Sequence, residues 1–405
     1  MKRLFLSLLI MSWTSTGLAA TADEAFENLA EEYISDLGNL SPVYATLLGD
    51  HSADDRLDNV DDDARAETRI LLNDYLAALK GIDREQLSRA NQVDAELLLH
   101  EVESSLWSLD VLREWSWNPL YYVSIAGSSI YGLMARDFAP VESRLASVTS
   151  RLEQLPRFLA QARASIDLAR VPKIHAETAV QQNQGLNSII DSMVIPAMDV
   201  LSAERQQTLN AAIEIAKDAI AEQQTWLEET LLPQANGDFR IGAELYDVKL
   251  AFALNSPMSR REITARAEQE YEAVRNAMYE VAKTVYKQRH PFTSFPDNPN
   301  EAYKQAIIRA ALEEAYKKLP PRDGIVDIAR QYLQQAIDFV VEHNIVTMPD
   351  DPVEIIVMPE FQRGVSVAYL DPPGPLDKGQ SAFYEVAPLP DDWNEEQVES
   401  FLREY

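Results

Sequence analysis

The chain has 405 residues, of which 46% are hydrophobic, and it contains no cysteine. A disulfide framework and a lipid-modified cysteine are therefore excluded within these residues, and the fold must rely on its apolar core. The net charge of −29 predicts a surface that repels phosphate backbones and anionic lipids, which argues against nucleic acid as a partner.

The N-terminus has the pattern of a secretory signal peptide. Lys2 and Arg3 precede an apolar run over residues 4–13, and small residues follow at 17–22. This pattern predicts a signal peptide over residues 1–22, cleaved after Ala19 or after Ala22. Its removal would take the net charge to −31. We expect a secreted or periplasmic protein with no integral membrane segment once the signal is cleaved.

Residues 23–352 are predicted to form a helical scaffold. An amphipathic stripe over residues 23–37 is followed by further helices, and a heptad seam of apolar residues begins at Leu145. Two more long helices, at about 203–232 and from the capping box at Ser259 to Val285, repeat this seam. The fold class is therefore mainly α, an elongated bundle of long antiparallel helices.

The hydrophobic period drops to two residues over 353–388. Three short runs, at 353–357, 365–369 and 382–386, are bounded by proline and glycine. They predict a small antiparallel three-stranded β-sheet near the C-terminus. Residues 389–405, with a helix capped by Asn394, are interpreted as the start of a truncated C-terminal helical, catalytic part.

Motifs for known catalytic chemistry are incomplete in this chain. A helical zinc site needs two histidines four residues apart, but the partner position of His100 holds Ser104. The stretch from Gly127 to Tyr131 misses the last glycine of a nucleophile elbow. We therefore assign no catalytic residue, no metal ligand and no cofactor from the residues themselves.

Several short segments, taken in order, resemble the bacterial domain-of-unknown-function family 885. The resemblance spans most of the chain after the signal peptide and implies a helical zinc peptidase similar to gluzincins and to carboxypeptidase Taq. The segments are L-S-P-V-Y-A-T-L-L-G-D-H at 40–51, W-N-P-L at 117–120, R-D-F-A-P at 136–140, D-F-R-I-G-A-E-L-Y at 238–246, V-M-P-E-F at 357–361 and A-Y-L-D-P-P at 368–373.

The zinc-binding signature of that family, H-E-x-x-P-G-H, does not occur in these 405 residues. The resemblance places it just beyond the helix that Asn394 caps. It therefore implies that this chain is the substrate-cleft portion of an exported peptidase, inactive as it stands, with zinc expected only in an intact relative. The alternative is a non-catalytic periplasmic binding or scaffolding protein.

By analogy with gluzincin peptidases, a peptide substrate would pair with a sheet edge beside the zinc helix. We expect that edge to be the strand at 382–386 or its neighbour carrying Tyr369. The predicted substrate-binding residues are accordingly Tyr369 and Tyr384.

Overall fold

The structure is a computed structural model that describes residues 21–317, 321–349, 352–389 and 393–404. Most of the described residues are helical and a small sheet lies near the C-terminus, which confirms the predicted fold class. The helices are α1 (Ala22–Leu40), α2 (Pro42–Leu48), α3 (Asp62–Lys80), α4 (Arg89–Trp107), α5 (Pro119–Met134), α6 (Val141–Ser165), α7 (Lys173–Ile189), α8 (Ala203–Trp226), α9 (Leu232–Gln234), α10 (Ala243–Leu254), α11 (Arg260–Arg289), α12 (Glu301–Tyr316), α13 (Ile325–His343) and α14 (Glu395–Glu404). The strands are β1 (Val353–Val357), β2 (Ala368–Asp371) and β3 (Ala382–Val386).

The first described residue caps the first helix. The Thr21 hydroxyl accepts a hydrogen bond from the Glu24 N–H, and the Glu24 carboxylate accepts one from the Thr21 N–H at 2.7 Å, which makes a capping box. Residues 1–20 of the predicted signal peptide lie outside the described residues. Of the two predicted cleavage positions, the one after Ala19 would leave this cap in the mature chain, whereas cleavage after Ala22 would remove it.

The largest core lies where α5, α6, α7 and α8 pack together. The predicted seam of α6 is fully buried from Leu145 to Leu159 and packs against Leu209, Ile213 and Ile220 of α8. The heptad pattern therefore identified a real helix–helix interface. Pro156 lies inside α6, which nevertheless runs undivided from Val141 to Ser165.

The apolar seam of α11, unlike that of α6, is largely exposed. Its apolar positions Tyr271, Val274, Met278 and Val281 are 40–66% exposed. Within the described residues α11 packs chiefly on α12 through its other face, around Tyr279 and Ala282. The expectation that this seam joins the main bundle is therefore wrong for the described part of the chain.

The sheet has the strand order β1-β3-β2. β1 is parallel to β3 and β2 is antiparallel to it, so the sheet is mixed and the all-antiparallel prediction is wrong. The prediction assumed that consecutive strands are neighbours, whereas β3 inserts between the two earlier strands. The second strand also begins later than predicted, because Gly364 turns with φ of +88° and the Ser366 hydroxyl donates to the Ala368 carbonyl.

No helix among the described residues combines the length and the apolar character that a bilayer crossing requires.

Candidate functional site

The two faces of the sheet meet different helices. Side chains alternate along a strand, so Tyr369 and Glu385 share one face, and Leu370 and Tyr384 share the other. The first face packs on α5, where Tyr131 reaches Glu385. The second face packs on α13 through Ile355 and Val386. The sheet is therefore held between α5 and α13.

The segment after β1 is anchored in the helical core by a single aromatic side chain. Phe361 is 2% exposed and occupies a slot between Gly127 of α5 and Gly185 of α7. A Cβ at Gly127 would lie 2.1 Å from the Phe361 ring, and one at Gly185 would lie 2.3 Å from the Phe361 backbone nitrogen. The Ser188 hydroxyl donates to the neighbouring Glu360 carboxylate. Only glycine at both helix positions permits this close approach.

A buried polar cluster lies between α5 and the sheet. The Tyr131 hydroxyl donates to Oε1 of Glu385 at 2.7 Å, and the Glu385 side chain is fully buried. The hydroxyl of Tyr369, its cross-strand partner, also interacts with this carboxyl group. Oε2 of Glu385 has no partner with full hydrogen-bond geometry among the described residues. The carboxyl is thus isolated from solvent, hydrogen-bonded by Tyr131 and close to the Tyr369 hydroxyl.

Burial changes the acidity of this cluster. It raises the pKa of Glu385 above its usual range, and the tyrosine hydrogen bonds only partly oppose this effect. It likewise raises the pKa of Asp371, against the opposing attraction of Arg136. Burial and the neighbouring Glu385 carboxyl raise the pKa of Tyr131 and of Tyr369 well above the ordinary value for a phenol. Both phenols therefore remain protonated donors at any physiological pH.

Arg136, just beyond α5, fastens the far end of the sheet. Its guanidinium donates to the Asp371 carbonyl at 2.8 Å, to the Asp371 carboxylate at 3.1 Å and to the Ser381 carbonyl at 3.3 Å. It also lies 4.4 Å from the centre of the Phe383 ring. One side chain thus positions both β2 and β3.

The loop between β2 and β3 docks on the start of the chain. The His51 ring contacts the Asp54 carboxylate at 3.0 Å and the Asp377 carboxylate at 3.2 Å, and it stacks on Phe138. A Cβ at Gly374 would lie 2.4 Å from the backbone of Leu48. These contacts fix the loop that allows β3 to insert between β1 and β2.

The sequence left two strands as candidates for the peptide-pairing edge, the strand at 382–386 and its neighbour carrying Tyr369. The strand order distinguishes between them. β3 is central and pairs on both sides, so it is excluded as a free edge. β2, which carries Tyr369, is an outer strand. The Ala387 N–H donates to the Val367 carbonyl at 2.9 Å, so the backbone groups of Tyr369 and Asp371 point toward β3 and those of Ala368 and Leu370 point away.

The two predicted substrate-binding residues are not brought together. Tyr369 faces the buried Glu385, whereas Tyr384 lines an open groove on the opposite face of the sheet. The groove has a volume of about 500 Å³ and lies between the sheet and α13. It is lined by Ala329, Tyr332, Leu333, Ala336, Val353, Ile355, Val367, Leu370 and Tyr384, none of them charged.

Metal-ligating side chains do not converge in the part of the chain that the structure describes: no three histidine, aspartate or glutamate residues there form a metal-binding group. The zinc that the resemblance implies therefore finds no ligand set among these residues, and we derive no step through it.

Sequence reasoning missed the buried cluster. Arg136 lay inside one of the matching segments, and Glu385 was noted only as part of a strand. The signal available was an acid within an alternating run whose neighbours Phe383 and Val386 are apolar. Alternation along the strand predicts that such an acid faces solvent, because it carries no information about tyrosines contributed by distant elements.

The ordered arrangement of helices and terminal sheet can be compared with known proteins. The model of the family described as "Bacterial protein of unknown function (DUF885)" matches residues 42–403. The chain belongs to this family. The family resemblance drawn from the ordered segments is therefore confirmed, whereas the family description states no activity.

A solved structure is similar to almost the whole of the present chain. A putative lipoprotein of unknown function from Shewanella oneidensis is 30% identical in sequence, with a TM-score of 0.70. The match covers 96% of the present chain and 68% of that chain, so about a third of the Shewanella structure lies outside the match. No curated protein matches the chain.

Proposed function

We propose that this DUF885 chain forms the peptide-binding part of an exported peptidase-like protein, with β2 as the strand to which an extended peptide adds. The observation that carries the proposal is the outer edge of β2, where the backbone groups of Ala368 and Leu370 point away from β3 beside an open groove. Main-chain hydrogen bonds at such an edge supply affinity without demanding a particular sequence.

The edge offers a short, defined set of hydrogen-bonding groups. The N–H groups of Ala368 and Leu370 and the carbonyl of Leu370 are directed outward, whereas the Ala368 carbonyl already accepts from Ser366 at 2.8 Å. No other strand pairs with this edge among the described residues. A bound peptide would therefore receive two donors and one acceptor from β2.

Rigid support makes this edge suitable for binding. The Tyr369 hydroxyl interacts with the buried Glu385 carboxyl, and Asp371 is hydrogen-bonded by Arg136, so β2 is supported on both sides of Leu370. A strand that is already in its bound conformation loses little conformational entropy on association. Tyr369 is thus a positioning residue, and Tyr384 is the predicted residue that would contact the peptide.

Export and the peptidase assignment have separate supports. The signal-like N-terminus supports export, and the structurally similar Shewanella protein is described as a putative lipoprotein. The family resemblance supports a zinc peptidase whose metal helix lies outside these 405 residues. On this proposal the chain binds peptides without hydrolysing them.

The test compares two substitutions at one position. Leu370→Pro removes the outward N–H without removing a hydrogen bond to β3, and Leu370→Ala shortens the side chain but keeps the N–H. With fluorescein-labelled extended hexapeptides and polarisation as the readout, we expect the proline variant to weaken binding about tenfold more than the alanine variant. Equal binding by the two variants would refute backbone pairing at β2.

The exposed seam of α11 favours a second candidate, a non-catalytic periplasmic binding or scaffolding protein. Val274 and Val281 on this seam are more than half exposed. If this surface binds the partner, Val281→Glu should abolish binding and Leu370→Pro should leave it unchanged. The proposed peptide edge predicts the reverse.

A further inference from the structure

We infer that the groove beside β2 selects peptides that carry a bulky apolar side chain. This inference rests on the proposed function, since it concerns the side chain of a peptide whose backbone pairs with β2. It adds the chemical class of the ligand, which neither the family description nor the strand edge specifies.

The lining of the groove carries the inference. Tyr332, Leu333 and Ala336 of α13 form one wall, and Val353 and Tyr384 belong to the sheet wall. All nine lining residues are uncharged, although a quarter of the whole chain is charged. The groove volume of about 500 Å³ falls within the range of small-ligand sites and leaves room for an aromatic or long aliphatic side chain.

The position of Leu370 connects the groove to the strand edge. Leu370 is 56% exposed, lines the groove and shares a sheet face with Tyr384. In a peptide added next to β2, alternate side chains project on that same face. A peptide residue beside Leu370 would therefore place its side chain at the mouth of the groove.

Charged peptide side chains would be disfavoured at this position. A charge entering the groove would lose hydration without meeting a partner in the lining. Arg330, on the same helix, is already engaged, since it donates to the Ile355 carbonyl at 3.1 Å and to Asp327 at 3.0 Å. An apolar side chain loses no such interaction and gains from leaving water.

The test uses three labelled hexapeptides that differ only at one central residue, which is Phe, Ala or Lys. We expect the Phe peptide to bind the wild-type chain at least about tenfold more tightly than the Ala peptide, from the apolar area buried. The Lys peptide should bind no better than the Ala peptide. Polarisation titrations give the three dissociation constants.

Two variants of α13 provide the matched control. Ala336→Glu places a carboxylate in the groove, and Gln335→Glu places the same charge on the exposed neighbouring residue outside it. We expect Ala336→Glu to remove the preference for Phe and to favour the Lys peptide. Gln335→Glu should retain the wild-type order.

The outcomes separate the two proposals. If all three peptides bind the wild-type chain equally and Leu370→Pro still weakens them, the groove inference is overturned and the strand edge stands. If none of the peptides binds, both proposals are overturned. If the Phe preference survives Ala336→Glu, the selective site lies elsewhere and the groove inference is likewise overturned.

Discussion

The Tyr131 hydroxyl and the Glu385 carboxyl are 2.7 Å apart, although 254 positions separate them in the chain. Their hydrogen bond joins the middle of the helical core to the central strand of the sheet. Because Glu385 is fully buried, water cannot replace this donor. The contact therefore couples the stability of the sheet to the position of α5.

Removing that hydroxyl should destabilise the fold. In Tyr131→Phe the buried Glu385 oxygen loses its donor, and we expect the free energy of unfolding to fall by about 1–3 kcal/mol. Urea unfolding measures this change. The control, Tyr44→Phe, alters a tyrosine that is 48% exposed and should change the stability by less than about 0.5 kcal/mol. Equal effects in the two variants would argue against the coupling.

The raised pKa of Glu385 predicts a pH dependence of stability. Since burial raises its pKa in the folded chain above the ordinary value of 4.5, the folded chain binds this proton more tightly than the unfolded chain. The resulting stabilisation is complete below about pH 4.5. It is lost as the pH rises through the folded-state pKa.

Glu385→Gln isolates that contribution, because the amide keeps an acceptor for Tyr131 and does not titrate in this range. We expect the stability of the variant, relative to wild type, to increase as the pH is raised from 4.5 toward 8. Urea unfolding at four or five pH values measures the difference. A constant difference across this range would mean that Glu385 does not titrate abnormally.

The glycine slot around Phe361 gives a third prediction. Gly185→Ala would place a methyl group against the Phe361 backbone, and we expect a loss of stability of about 1–3 kcal/mol or more. Gly132→Ala is the control on α5, where a Cβ would make ordinary contacts with the side chains of Leu47 at 3.4 Å and Thr46 at 3.6 Å. Alanine has the higher helix propensity, so this control should be neutral or stabilising. Thermal unfolding of both variants tests the slot.

Metal content tests the part of the proposal that concerns catalysis. The described residues offer no group of three candidate ligands, so after incubation with zinc and dialysis the purified chain should retain no stoichiometric zinc. It should also leave the labelled peptides intact. One tightly held zinc ion per chain, or cleavage of a peptide, would contradict the view that this chain binds without hydrolysing.

The sequence predicted the features that depend only on the spacing of apolar residues within one helix or strand. The buried seam of α6 and the bounds of β1 and β3 follow directly from the spacing of apolar residues. The strand order does not, because it depends on how Arg136 and His51 hold the connecting loop. The partners of Glu385 come from α5 and β2, and no spacing rule along the chain joins such distant residues.

The central claim is that an extended peptide pairs with the outer edge of β2, and residue-resolved amide exchange by NMR tests it most directly. On saturation with the Phe peptide, the Ala368 and Leu370 amides should exchange about tenfold more slowly, because both become hydrogen-bond donors to the peptide. The Gly364 and Val365 amides, in the exposed turn before the strand, should be unchanged. Saturated binding without slower exchange at Ala368 and Leu370 would contradict the account.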